Sequence, residues 1–116
     1  MITSHLSIRS KGVTLGTASD LSTDSMGVVC GHFHPAAQYE QFEDVFRLFT
    51  ADRPEAYYAA RDALGLEARL MPAGQRLDTR YVHIVDHRAE LGPDGIELEV
   101  GLTGSVDAFL TASTEI

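Results

Sequence analysis

The sequence predicts an α+β fold: a largely antiparallel sheet of five to six strands with a two-helix hairpin packed on one face. Three observations carry this. Strand-like alternation occupies both ends of the chain, two amphipathic helical stretches occupy the middle, and the join between them is only Thr50 to Arg53. Strands segregated from helices define the α+β class, and so short a join implies an antiparallel helix pair. The expected order is β-β-β-α-α-β-β-β.

Leu6 and Ile8 alternate with polar residues up to Ser10, Lys11-Gly12 supplies a turn, and Val13 and Leu15 alternate on the return, which reads as a hairpin. Ala18 to Ser25 reads as a polar loop. Met26 to Phe33 reads as a third strand, apolar on both faces and therefore central. Gly27 and Gly31 would let a helix approach it. Tyr39, Phe42, Val45, Phe46 and Phe49 form the apolar stripe of a first helix, with Pro35 in its first turn. Asp52 and Glu55 read as a capping box opening a second helix. Its inner stripe is Ala56, Tyr57, Ala60, Ala63 and Leu64, and Gly65 stops it.

The second half returns to strands at Leu66 to Met71, Arg80 to Asp86 and Ile96 to Leu102, with turns at Pro72-Ala-Gly74 and Gly92-Pro-Asp-Gly95. From Thr103 the pattern weakens, and Val106, Phe109 and Leu110 read as a short docked helix capped by Ser105. With 116 residues and no repeat or linker, residues 1–116 are expected to form a single domain.

Seventeen Asp+Glu against nine Lys+Arg give a net charge of −8. This opposes binding to nucleic acid, whose phosphates need compensating cations, and to anionic membranes. No stretch approaches the ~20 apolar residues of a membrane span. The start lacks the basic and apolar regions of a secretory signal. One cysteine, Cys30, excludes an internal disulfide and fits a reducing compartment. The expected location is cytoplasmic. One lysine among the nine basic residues fits GC-rich bacterial coding.

Three groups of residues could carry chemistry. Cys30, His32 and His34 share one strand face, and His83 and His87 share a face of a later strand beside Asp86. If those strands are neighbours, His83 approaches His32, and Cys30, His32, His34 and His83 could ligate a metal or run acid–base chemistry. The plainer reading makes Cys30 a small core residue and His34 a helix cap. Glu97 and Glu99 form a carboxylate pair on the wet face of an alternating strand. Tyr58 falls off the inner stripe of its helix, where an exposed tyrosine could anchor a partner.

No nucleotide-binding glycine loop, hydrolase elbow or Cys-x-x-Cys pair is present, and no cofactor is implied. The first reading is an acidic binding protein, immunity-like or a regulatory adaptor, with a basic protein as partner. The second is a small-molecule binder or minor enzyme built on the histidines. The third is a structural protein that self-associates, as a homodimer, through a strand edge.

Overall fold

The computed structural model describes residues 5–23, 27–50, 53–72, 74–104 and 109. The first two alternating stretches form β1 (His5–Ser10) and β2 (Val13–Thr23). Lys11 and Gly12 between them both have positive φ, as a two-residue hairpin turn demands. Strand β2 runs on through the stretch read as a loop. Ala18 and Leu21 are both buried, three residues apart, because a bulge between Ser19 and Ser22 resets the alternation. Asp20 in that bulge has φ 53°, a conformation aspartate tolerates better than most residues.

Strand β3 (Val28–Pro35) lies inside the sheet, but only one of its faces is covered. Val29 and Phe33 are fully buried, whereas Cys30 and His34 are exposed. The expectation of apolar cover on both faces, with Cys30 in the core, is therefore corrected. Gly31 admits the β2 bulge rather than a helix: a Cβ there would stand 2.7 Å from Leu21 Cδ2 and 2.9 Å from the Ser19 carbonyl oxygen. Pro35 ends the strand instead of opening a helix.

The first helix is broken in two. A 3₁₀ turn (Ala37–Gln41) precedes α1 (Glu43–Thr50), with Phe42 between them. The stripe itself explains the break. Tyr39, Phe42 and Val45 recur every three residues, the 3₁₀ period, before Val45-Phe46 shifts the pattern. The Phe49 side chain lies outside the described residues. Helix α2 (Pro54–Ala63) starts with proline in its first turn and Arg53 as the flanking residue. Asp52, half of the expected capping box, lies outside the described residues. Tyr57 is fully buried, Ala56, Ala60 and Leu64 are half-buried, and Ala63 is exposed, so the inner stripe is narrower than expected. Gly65, at φ 60°, closes the helix.

Strands β4 (Leu66–Met71), β5 (Gln75–Arg76), β6 (Thr79–Asp86) and β7 (Ile96–Leu102) complete the sheet, with the short helix α3 (Arg88–Leu91) before β7. The order across the seven-stranded sheet is β5-β4-β1-β2-β3-β7-β6, and each of these pairings is antiparallel. The predicted class is met, with the two-residue β5 as the strand the sequence pattern missed. The segment from β5 to β6 bridges two edges. Leu77 N–H donates to the Ala68 carbonyl of β4 at 2.9 Å, and two residues later Thr79 pairs with Leu102 of β7. The sheet therefore curls until its edges share a corner.

The inner face buries Leu6, Ile8, Leu15, Val29, Phe33, Ile84, Leu98 and Val100, with Tyr39, Phe46 and Tyr57 from the helical layer. Phe109 is also buried there; Ser105, Val106 and Leu110 lie outside the described residues. Strand β2 approaches β3 so closely at Gly16 that a side chain has no room. A Cβ there would collide with the His34 carbonyl oxygen and stand 2.7 Å from Phe33 Cζ and 3.0 Å from Pro35 Cα. Because backbone cannot yield as a side-chain tip can, Gly16→Ala is expected to cost about 1–3 kcal/mol, the usual range for overpacking. A urea midpoint measures this, and an unchanged midpoint would contradict the Gly16–Pro35 register.

Candidate functional site

Residues opposite one another in an antiparallel sheet share a face. Ser22, Cys30, Glu99 and His83 are successive partners across β2, β3, β7 and β6, and Ser19, His32, Glu97 and Val85 form the next row. These rows lie opposite the core side chains, on the outer face. Cys30, His34 and Glu97 are exposed there, and His32, Ser19 and Glu99 are half-buried.

The structure brings Cys30, His32 and His34 onto one face, as the strand spacing implied. The His32 and His34 rings meet edge to face at 4.9 Å. His34 Nε2 lies 2.6 Å from Ser19 Oγ, so this histidine bonds across to β2 rather than capping a helix. His32 Nε2 lies 4.0 Å from Asp94 Oδ1. His83 does not join them. Strand β7 separates β6 from β3, and His83 shares its row with Cys30, with Glu99 between the two. Among the described residues, no group of three or more His, Cys, Asp or Glu side chains is placed to hold a metal ion. His87 lies past the end of β6, flanking α3.

A shallow groove of about 230 Å³ runs along the outer face beside the β2 bulge, lined by Asp20, Ser22, Cys30, Gly31, His32 and Glu97. Asp20 and Glu97 make no ion pair among the described residues. The reason is compositional. Strands β2, β3 and β7 contain no lysine or arginine. Elsewhere Arg47, Arg61, Arg69, Arg76 and Arg88 each lie within ion-pair distance of a carboxylate. The acidic excess is thus left uncompensated on this part of the sheet.

At the β6 edge, α2 brings Tyr57 against His83. The Tyr57 hydroxyl and His83 Nδ1 are hydrogen-bonded, and their rings meet edge to face at 5.1 Å. Burial pushes the Tyr57 phenol up to about 12, against the opposing pull of Arg61. Burial also lowers the His83 imidazole below its ordinary value, with Glu99 opposing and Arg61 reinforcing the shift. The Tyr81 hydroxyl donates to Glu99 Oε2 at 2.9 Å, and its ring lies over Gly101, where a Cβ would stand 2.7 Å from Tyr81 Cδ2. Tyr58 is exposed, as expected, with the Arg61 guanidinium 5.0 Å from its ring centre.

A second polar cluster ties the 3₁₀ turn and α1 to the end of β6. Asp86 is fully buried and accepts from Tyr39 Oη at 3.0 Å, Arg88 Nε at 3.0 Å, Arg88 Nη2 at 2.9 Å and the Arg88 backbone N–H at 3.1 Å. Arg88 Nη2 also donates to Glu43 Oε2 at 3.2 Å. Burial alone would raise the Asp86 carboxyl, but the bonds from Arg88 and Tyr39 outweigh it and hold it below the usual range. Burial and then the Asp86 charge raise the Tyr39 phenol. Asp86 thus braces the 3₁₀ turn and Arg88 against the end of β6.

The chain matches no protein-family model, no curated protein and no solved structure.

Sequence reasoning missed Asp20, because it fell in the supposed loop, and the Tyr57–His83 and Tyr39–Asp86 pairs, whose partners lie 26 and 47 residues apart. The wet-face assignment of Glu97 and Glu99 marked the acidic side of the groove. Among the described residues no helix is long and apolar enough to cross a membrane.

Proposed function

We propose that this protein acts by binding, and that it presents the outer face of β2, β3 and β7 to a basic partner protein. The observation that carries the reading is the segregation of charge. Three adjacent strands without lysine or arginine hold Asp20, Glu97 and Glu99, with Asp94 beside His32, while most of the described arginines are matched within the molecule. Potentials of one sign on a bare surface steer oppositely charged partners and fix their orientation. The shallowness of the groove favours a protein surface over an enclosed small molecule, whose sites are typically ~300–1,000 Å³ and deeply concave. An immunity-like role, masking a basic protein, and a regulatory adaptor role are the two forms this takes. Cys30, His32 and His34 then serve as contact residues at the centre of the face, and Tyr58 lies at a separate edge.

Charge reversal tests it. An arginine-rich peptide is the probe, titrated at low ionic strength into wild type and into the Asp20→Lys/Glu97→Lys variant. The double variant is expected to weaken binding at least about tenfold, because a like charge placed opposite a cation costs several kcal/mol. Glu55→Lys/Asp62→Lys, with the same charge change on α2, is expected to bind nearly as wild type does. Equal losses in both variants would reduce the effect to net charge and overturn the assignment of the face.

A further inference from the structure

We propose that the cleft between the end of α2 and the start of β6 is a binding site for a small phosphate or phosphate monoester. The cleft holds about 190 Å³ and is lined by Arg61, Asp62, Gly65, Thr79, Arg80 and Tyr81. That is below the ~300–1,000 Å³ typical of a drug-sized ligand and suits a small anion. Two guanidiniums reach it from different elements, Arg61 from α2 and Arg80 from β6, each 5.9 Å from the Tyr81 ring centre. The turn between β1 and β2 brings a third cation. Lys11, the one lysine of the chain, has its Cε 4.0 Å from the place that a Gly65 Cβ would take.

Three cations at one cleft run against a net charge of −8. Among the described residues neither Arg80 nor Lys11 has a carboxylate within ion-pair distance. Arg80 Nε donates to the Leu102 carbonyl at 2.9 Å, which fixes the guanidinium without neutralising it. Arg61 is held by rings, 5.6 Å from the Tyr57 centre and 5.0 Å from that of Tyr58. A guanidinium placed in advance loses little freedom when an anion binds. Asp62, the carboxylate in the lining, lies 3.2 Å from Arg61 Nη2, but its side chain is 71% exposed. Ion pairs so exposed are weak, so an incoming anion can compete. The last carbonyls of α2, which would repel an anion, are occupied. Those of Arg61 and Asp62 accept the Leu64 and Gly65 N–H groups, and that of Leu64 accepts the Ser10 hydroxyl at 2.7 Å. A phosphate group, with its high charge and three acceptor oxygens, matches donors arriving from separate directions. Leu66 and Val82 complete the lining with apolar surface for an ester group.

Backbone amide shifts of the labelled protein test the site. Inorganic phosphate, phenyl phosphate or acetate is added at neutral pH and constant ionic strength. Both phosphates are expected to give saturable shifts at Gly65, Leu66, Arg80 and Val82 with Kd below about 10 mM, and acetate none. Arg80→Gln should weaken phosphate binding about tenfold, because a charge-assisted contact is lost. Lys11→Gln should weaken it less, and Asp62→Asn should tighten it. Arg80 and Lys11 are both exposed, so neither change touches the core. Arg53→Gln, the same charge change at the other end of α2, should bind as wild type does. Phosphatidic acid vesicles present the same group on a lipid surface. Sedimentation of the protein with them, while both soluble phosphates leave the spectrum unchanged, would overturn the proposal. So would equal losses in Arg80→Gln and Arg53→Gln, or acetate shifts equal to those from phosphate.

Discussion

Phe46→Ala is expected to destabilise the fold by about 3–5 kcal/mol, the range for truncating a buried phenylalanine. Phe46 is fully buried at the middle of a ring ladder. Phe33 of β3 meets Tyr39 at 5.6 Å, Tyr39 stacks on Phe46 at 5.8 Å, Phe46 meets Tyr57 of α2 at 6.2 Å, and Tyr57 meets His83 of β6 at 5.1 Å. Removing the central ring opens a cavity and detaches both helical segments from a common support. A urea midpoint measures the loss. A loss under about 1 kcal/mol, the level of an ordinary surface change, would show that α1 is rotated away from this ladder.

Asp86→Ala is expected to cost about as much, roughly 3–5 kcal/mol, because it strips a hydrogen-bonded partner from a buried ion pair. Arg88 would lose its main counter-charge, and Tyr39 would lose the carboxylate that accepts its hydroxyl and joins the 3₁₀ turn to β6. The pH dependence gives the sign. Because the Asp86 carboxyl lies below its ordinary value in the fold, its contribution is complete above the unfolded value of about 3.9. It is lost as pH falls through the folded value. Asp86→Ala should therefore flatten the acid limb of the stability profile, and an unaltered limb in that variant would contradict the assignment. Glu43 belongs to the same cluster through Arg88 and Arg47.

Patterning made the class, the central placement of β3 and the helix pair legible, because burial of one face imposes a period on each element. It failed where the period changes inside an element. The β2 bulge at Asp20 looks like a loop, and the 3₁₀ turn around Tyr39 looks like an early turn of α1. Strand order was closed to it for another reason. Strands β6 and β7 form an antiparallel pair, and either could have met β3 with its apolar side inward. The insertion of β7 decides which histidines are neighbours, and so it dissolves the His32–His83 approach. The face shared by Cys30, His32 and His34 follows from local alternation alone. The buried pairs at His83 and Asp86 depend on where helices dock, which local sequence does not encode.

The proposed contact face for a basic partner is the outer face of β2, β3 and β7. Backbone amide shifts of the labelled protein, followed while an arginine-rich peptide is added, test it most directly. Saturable shifts concentrated at Asp20, Cys30, His32 and Glu97, weakening as salt is raised, are expected. Shifts spread evenly over the acidic residues, including Glu55 and Asp62 of α2, or gathered around Tyr58 while this face stays silent, would contradict it.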